Sequence, residues 1–144
     1  MSFPAPEPGL VIRYSYLWAR ERDAGRDEGV KDRPCAVLLA TRDEEGDLKV
    51  IVLPVTHARP LDADSTVEIP AATKRRLGLD EDQSWIVVTE CNVFAWPGPD
   101  LRFARGTGAE SAAYGLLPAR LFDIVRARFL AMHEKAKARF VGRE

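Results

Sequence analysis

The chain has 144 residues, 46% of them apolar and 30% charged, with a net charge of −1. That length suits a single domain over residues 1–144 with one buried core, and the charge balance excludes a global field that would draw the protein to nucleic acid or acidic lipid. Any anion site must therefore be local. No apolar run approaches the roughly 18 residues that a membrane span needs. The start, Met1 to Gly9, carries neither the basic nor the apolar segment of a signal peptide, so the expectation is a cytoplasmic protein without membrane contact. Cys35 and Cys91 lie in apolar runs and read as buried, inert thiols; without matching histidine spacing they make no zinc site.

Pro4, Pro6 and Pro8 stiffen the lead-in, and Leu10 to Trp18, rich in β-formers, reads as a strand. Arg20 to Lys31 interleaves acids and bases around Gly25 and Gly29 with almost no apolar residue. It reads as a mobile surface loop, either merely solvated or serving as a substrate lid.

The next stretch is a hairpin. Cys35 to Ala40 and Val50 to Val55 are apolar runs flanking the polar, Gly-containing loop Thr41 to Asp47. Both runs are apolar on both faces, which predicts central strands of a closed or covered sheet. With the loop centred between Glu44 and Glu45, opposed residues have numbers summing to 89, so Leu39 faces Val50 and Arg33 faces Thr56. Opposed side chains sit about 4.5–5.5 Å apart at Cβ. A cation and a hydroxyl then meet at the open end, with Glu28 and His57 nearby. A bulge would shift this pairing by one.

Thr66 to Ile69 reads as a short strand, and Pro70 to Gly78 as a short helix opened by proline and closed by glycine. Lys74, Arg75 and Arg76 then complement the C-terminal end of its dipole. Ser84 to Glu90 is a further strand, Pro97-Gly98-Pro99 a turn, Leu101 to Ala104 a short edge strand, and Thr107 to Tyr114 a loop of small residues. Pro118 opens a long helix to about Arg139. Leu121, Phe122, Val125, Phe129, Met132, Ala136 and Phe140 fall on one stripe of it, with Asp123, Arg126, Glu134 and Lys137 opposite and His133 beside the stripe. The expected class is mainly β (α+β), a compact barrel or strongly bent sheet carrying a helix.

Pro8-Gly9-Leu10-Val11, Glu28 five residues before Arg33-Pro34, and the strand end Pro54-Val55-Thr56 together resemble the PemK/MazF-like toxins. The resemblance is good over about residues 8–56 and holds in outline over 57–105. It implies an SH3-like β-barrel of the PemK/MazF/CcdB type over about 8–106; with the short internal helix and the C-terminal helix over about 118–140 read from the residues, the latter extends past the family's usual barrel. It also implies a homodimeric endoribonuclease that cleaves single-stranded RNA without a metal or other cofactor and is neutralised by an antitoxin peptide. The arginine of the Arg-Pro pair and the threonine of the Pro-x-Thr end are the usual catalytic pair, which carries over to Arg33 and Thr56. The upstream acid, Glu28, is implicated in some members. Glu90 to Trp96 stands where the family more usually has an Asp-Gln segment. A non-catalytic SH3-like module holding RNA or a protein target such as gyrase is the alternative reading.

The chemistry independently favours these residue types. Cleavage by 2′-OH attack, leaving a 2′,3′-cyclic phosphate, needs a base, donors for the charge that builds on the phosphate, and an acid for the leaving oxygen. Arg33 offers a fixed fork of donors, and Thr56 one more hydrogen bond. Glu28 matches the family spacing for the base; His57 has the more suitable unperturbed pKa, near 6.5. Lys31, His57, Trp96 and Phe94 are the further candidates for holding substrate, the aromatics by stacking on unpaired bases.

Overall fold

The computed structural model describes residues 3–29, 31–104, 111–135 and 138–143. At its centre lie strands β2 (Arg33–Arg42) and β3 (Leu48–Thr56), paired antiparallel as the hairpin pattern predicts. Cys35 pairs with Pro54, Ala36 with Leu53 and Val37 with Val52, each pair of numbers summing to 89. At Leu38 the register shifts by one, so Leu39 pairs with Ile51 and not with Val50. The bulge corrects the closed end of the expected pairing and leaves Cys35 to Val37 in the predicted register.

Strand alternation sorts these two runs into two cores. Ala36, Leu38, Leu53 and Val55 join one apolar cluster, whereas Cys35, Val37, Val50 and Val52 join another. Both faces of the hairpin are therefore covered. On the first face, Leu121, Val125, Phe129 and Met132 of a late helix complete the packing. On the second, β1 (Leu10–Tyr14) contributes Leu10, Ile12 and Tyr14, followed by Tyr16 and Trp18.

Short elements extend the sheet around this centre: β4 (Thr66–Glu68), β5 (Trp85–Val87), β6 (Glu90–Ala95), β7 (Leu101–Arg102), β8 (Ala113–Leu116) and β9 (Arg139–Gly142). The strand order is β4-β5-β3-β2-β1-β7, with β6 also on β3, β9 on β6 and β8 also on β1. All pairs are antiparallel except β6 with β9. Beyond β2, strand β3 has two neighbours in turn: β6 along Lys49–Val52 and β5 at Val55–Thr56. Pro54, which has no N–H to donate, falls where one neighbour gives way to the other. Among the described residues the pairings do not return on themselves, so the sheet branches and is not a closed barrel.

Three α-helices are described. Helix α1 (Ala19–Asp23) takes up the start of the segment read as a surface loop, and residues 24–29 carry neither helix nor strand. The Trp18 N–H donates to the Glu21 carboxylate at 3.0 Å, and Arg22 and Asp23 bond Gly142 and Arg139 of β9. The helical start of the charge-rich segment is thus tied to partners far along the chain. Helix α2 (Ala71–Leu77) follows Pro70 and ends at Gly78, whose φ of 72° is the left-handed conformation that glycine adopts without strain.

Helix α3 (Ala119–Glu134) is shorter than its apolar periodicity suggests. After it the chain turns into β9 and covers the edge of β6, a use of backbone that a helical pattern does not reveal. Phe140 therefore lies on a strand, 46% exposed, with its ring edge-on to Phe129. Ala136 and Lys137 lie outside the described residues, as do residues 107–110 of the small-residue segment, whose last members form part of β8. Among the described residues no helix is long and apolar enough to cross a membrane.

Candidate active site

The open end of the β2–β3 hairpin borders a cleft of about 580 Å³, lined among others by Arg33, Thr56, His57 and Lys31. Arg33 is the first residue of β2 and Thr56 the last of β3. Cys35–Pro54 is the last pair of the ladder toward this end, and beyond it Arg33 reaches the carbonyl of Val55, the residue before Thr56.

Arg33 is half-buried and has no carboxylate within ion-pair distance among the described residues. The acid beside it in sequence, Asp32, lies 3.8 Å from Arg13 and 3.6 Å from Arg102. Arg33 instead donates from Nη1 to the Val55 carbonyl at 3.2 Å and lies over the Trp18 ring, 4.8 Å from its centre. Its Nε is buried and has no hydrogen-bond partner among the described residues. Burial pulls its pKa downward, but an arginine remains charged at any working pH. A cation without a counter-ion and with a spare donor is prepared for an anion.

Thr56 Oγ1 accepts a hydrogen bond from the Ala58 N–H at 3.1 Å. Its own O–H remains available to donate, which is the role a developing oxyanion needs. His57 Nε2 lies 2.8 Å from Asp80 Oδ2. In the neutral ring this contact places the proton on Nε2 and leaves the lone pair on Nδ1, the arrangement of a general base oriented by a carboxylate.

Asp80 is fixed in turn by Lys74. This lysine, 4% exposed, bonds Asp80 Oδ1, the Asp82 carbonyl and Ser84 Oγ. Its three donors thus have three acceptors. Burial acts to raise the Asp80 pKa, but the Lys74 hydrogen bond and charge, and then His57, outweigh it and hold the carboxyl below its ordinary value. Lys74 is therefore not a solvated cation at the helix end: it shares the buried face of α2 with Thr73 and Leu77. The spacing Lys74 to Leu77, one helical turn, carried that signal.

His57, Asp80 and Asp82 also hold ligand-type atoms within 4.8 Å of one another, all in exposed residues. Lys74 already neutralises Asp80, so a divalent ion there would meet a fixed positive charge.

Glu28 is not part of this group. It is exposed and borders a second cavity of about 900 Å³, together with Ser15, Asp100 and Arg143. Lys31 borders both cavities. Phe94 is buried and stacks on Tyr14 with ring centres 4.6 Å apart, which makes it a core residue. Trp96 is half-buried, 6.0 Å from Phe94, and lines neither cavity. His133 is exposed on α3, its ring beside Phe140. The cleft residues that the sequence does not announce are Trp18, Arg20, Lys74, Asp80 and Ser84.

No protein-family model matches the chain, and no curated protein matches it.

Proposed function

We propose that the cleft cleaves single-stranded RNA by attack of a 2′-hydroxyl on the adjacent phosphate, without a metal ion. The observation that carries this reading is the meeting of Arg33, Thr56 and the Asp80-bound His57 in one cleft, with Arg33 lacking any carboxylate partner among the described residues. His57 Nδ1 takes the proton of the 2′-OH as its oxygen bonds to phosphorus. The Arg33 guanidinium and the Thr56 O–H donate to the non-bridging oxygens, where negative charge grows. The 5′-oxygen leaves and is protonated from water at the open mouth of the cleft, giving a 2′,3′-cyclic phosphate and a 5′-hydroxyl. His57 takes the role of base in preference to Glu28, which borders the other cavity.

The resemblance to the PemK/MazF-like toxins supplies the rest of the reading. The branched sheet is an SH3-like fold of that type, the protein is a cytoplasmic homodimer, and an acidic antitoxin peptide neutralises it. The test is incubation of the purified protein with varied single-stranded RNAs in EDTA, followed by end-group analysis. Cyclic phosphate ends support the reading; a requirement for Mg²⁺ or 3′-hydroxyl products sinks it. Tight RNA binding without cleavage points to the non-catalytic module.

A further inference from the structure

We propose that Arg20, seated on Trp18, forms a second phosphate subsite beside Arg33, so that the cleft holds two consecutive phosphates of one strand. The proposal rests on the reading of the Arg33 cleft as a nucleic-acid site. Both guanidinium groups lie 4.8 Å from the centre of the same indole, so they stand no more than twice that distance apart. That is the scale on which phosphates follow one another along a single strand.

Neither arginine has a carboxylate within ion-pair distance among the described residues. The nearest acid in sequence, Glu21, lines the cleft but accepts from the Trp18 N–H. Arg20 itself is held in place because α1 begins at Ala19, whose N–H donates to Glu90 Oε1 at 2.9 Å. Two like charges are thus brought together around one aromatic ring, with Glu21 and Glu90 nearby but neither within ion-pair distance among the described residues, an arrangement that an anionic ligand relieves.

A second observation points the same way. The Trp18 Nε1–H and the Arg33 Nε–H are both buried and without partners among the described residues. Unpaired buried donors are uncommon and call for an acceptor. Trp18 is only 7% exposed, so its ring does not serve as a platform for a base. The ring seats the two guanidinium groups.

The probes are the thymidine dinucleotide and trinucleotide TpT and TpTpT, which carry one and two phosphates and, lacking 2′-hydroxyls, cannot be cleaved by this chemistry. Affinity is measured against salt concentration for the parent, Arg20→Ala and Arg20→Lys. Each phosphate contact on a single strand adds about 0.7 to the slope of log K against log salt. The parent should gain that increment between TpT and TpTpT, Arg20→Ala should lose it, and Arg20→Lys should keep it. An increment that survives in Arg20→Ala, or a parent that shows none, overturns the subsite. A parent that shows the increment but leaves RNA uncut keeps the subsite and sinks the catalytic reading. A parent that cuts RNA without the increment does the reverse.

Discussion

Arg33 faces the indole of Trp18 at 4.8 Å and no described carboxylate. Its role is thereby divided between packing and charge. Arg33→Ala uncovers a ring that is 7% exposed and removes a contact worth about 0.5–2 kcal/mol. A loss of stability in that range is expected in urea unfolding, without loss of the fold. An unchanged midpoint would show that the stack contributes nothing.

Asp80 ties His57 to Lys74, and the direction of its pKa fixes a pH dependence. An aspartate in an unfolded chain titrates near 3.9, and the folded value of Asp80 is lower. The stability from its partners is therefore complete above that unfolded value and disappears as pH falls through the folded one. Asp80→Asn should be less stable than the parent at pH 7, with the gap closing in acid. The side chain is 51% exposed, so the gap is modest. Urea unfolding at both pH values measures it; a gap of equal size in acid would assign the effect to shape and not to charge.

Gly29 anchors the segment that leads into Arg33. A Cβ at this position would lie 2.3 Å from the Tyr16 carbonyl oxygen, a backbone atom that cannot swing aside as a side chain would. Gly29→Ala must shift one of the two backbone segments, at a cost of about 1–3 kcal/mol, and should lower both the melting temperature and cleavage. A variant that melts with the parent would show that the loop yields freely.

Phe129 and Phe140 separate the helix from the strand that follows it. Phe129 is 3% exposed inside the first core, and its replacement by alanine should cost about 3–5 kcal/mol. Phe140, half-exposed on β9, contributes mainly its edge-on ring contact, about 0.5–1.5 kcal/mol. Equal losses would contradict the placement of Phe140 outside the core.

What could be read in advance follows the range of the interactions. The β2–β3 pairing is local, so the loop centre sufficed to set the register of Cys35 to Val37 against Val52 to Pro54 and to bring Arg33 and Thr56 to the same end of the hairpin. The bulge at Leu38 is a backbone adjustment with no composition of its own, so the one-residue shift that a bulge brings could be named but not placed. Phe140 keeps helical phase with Phe129 and Met132, yet tertiary pairing with the edge of β6 overrides that periodicity. Lys74 and Asp80 reach His57 from a helix and the turn after it, a contact set by packing and invisible to spacing around Arg33. Glu28 is close to Arg33 in sequence, but the described segments place it on another cavity. Trp18 reads as one more aromatic of a strand until the fold sets two arginines on it.

The most direct test of the central claim, that the open end of this hairpin is a catalytic cleft, is the initial rate of cleavage of one single-stranded RNA in EDTA. Parent, Arg33→Ala and Glu28→Gln are compared at matched folded concentration. Arg33→Ala should lose on the order of 10²–10³ in rate, the usual consequence of removing a donor to transition-state charge, and Arg33→Lys should recover little because it lacks the bidentate fork. Glu28→Gln should cleave at close to the parental rate. Parental cleavage by Arg33→Ala, or a loss confined to Glu28→Gln, would contradict the account and move the chemistry to the other cavity.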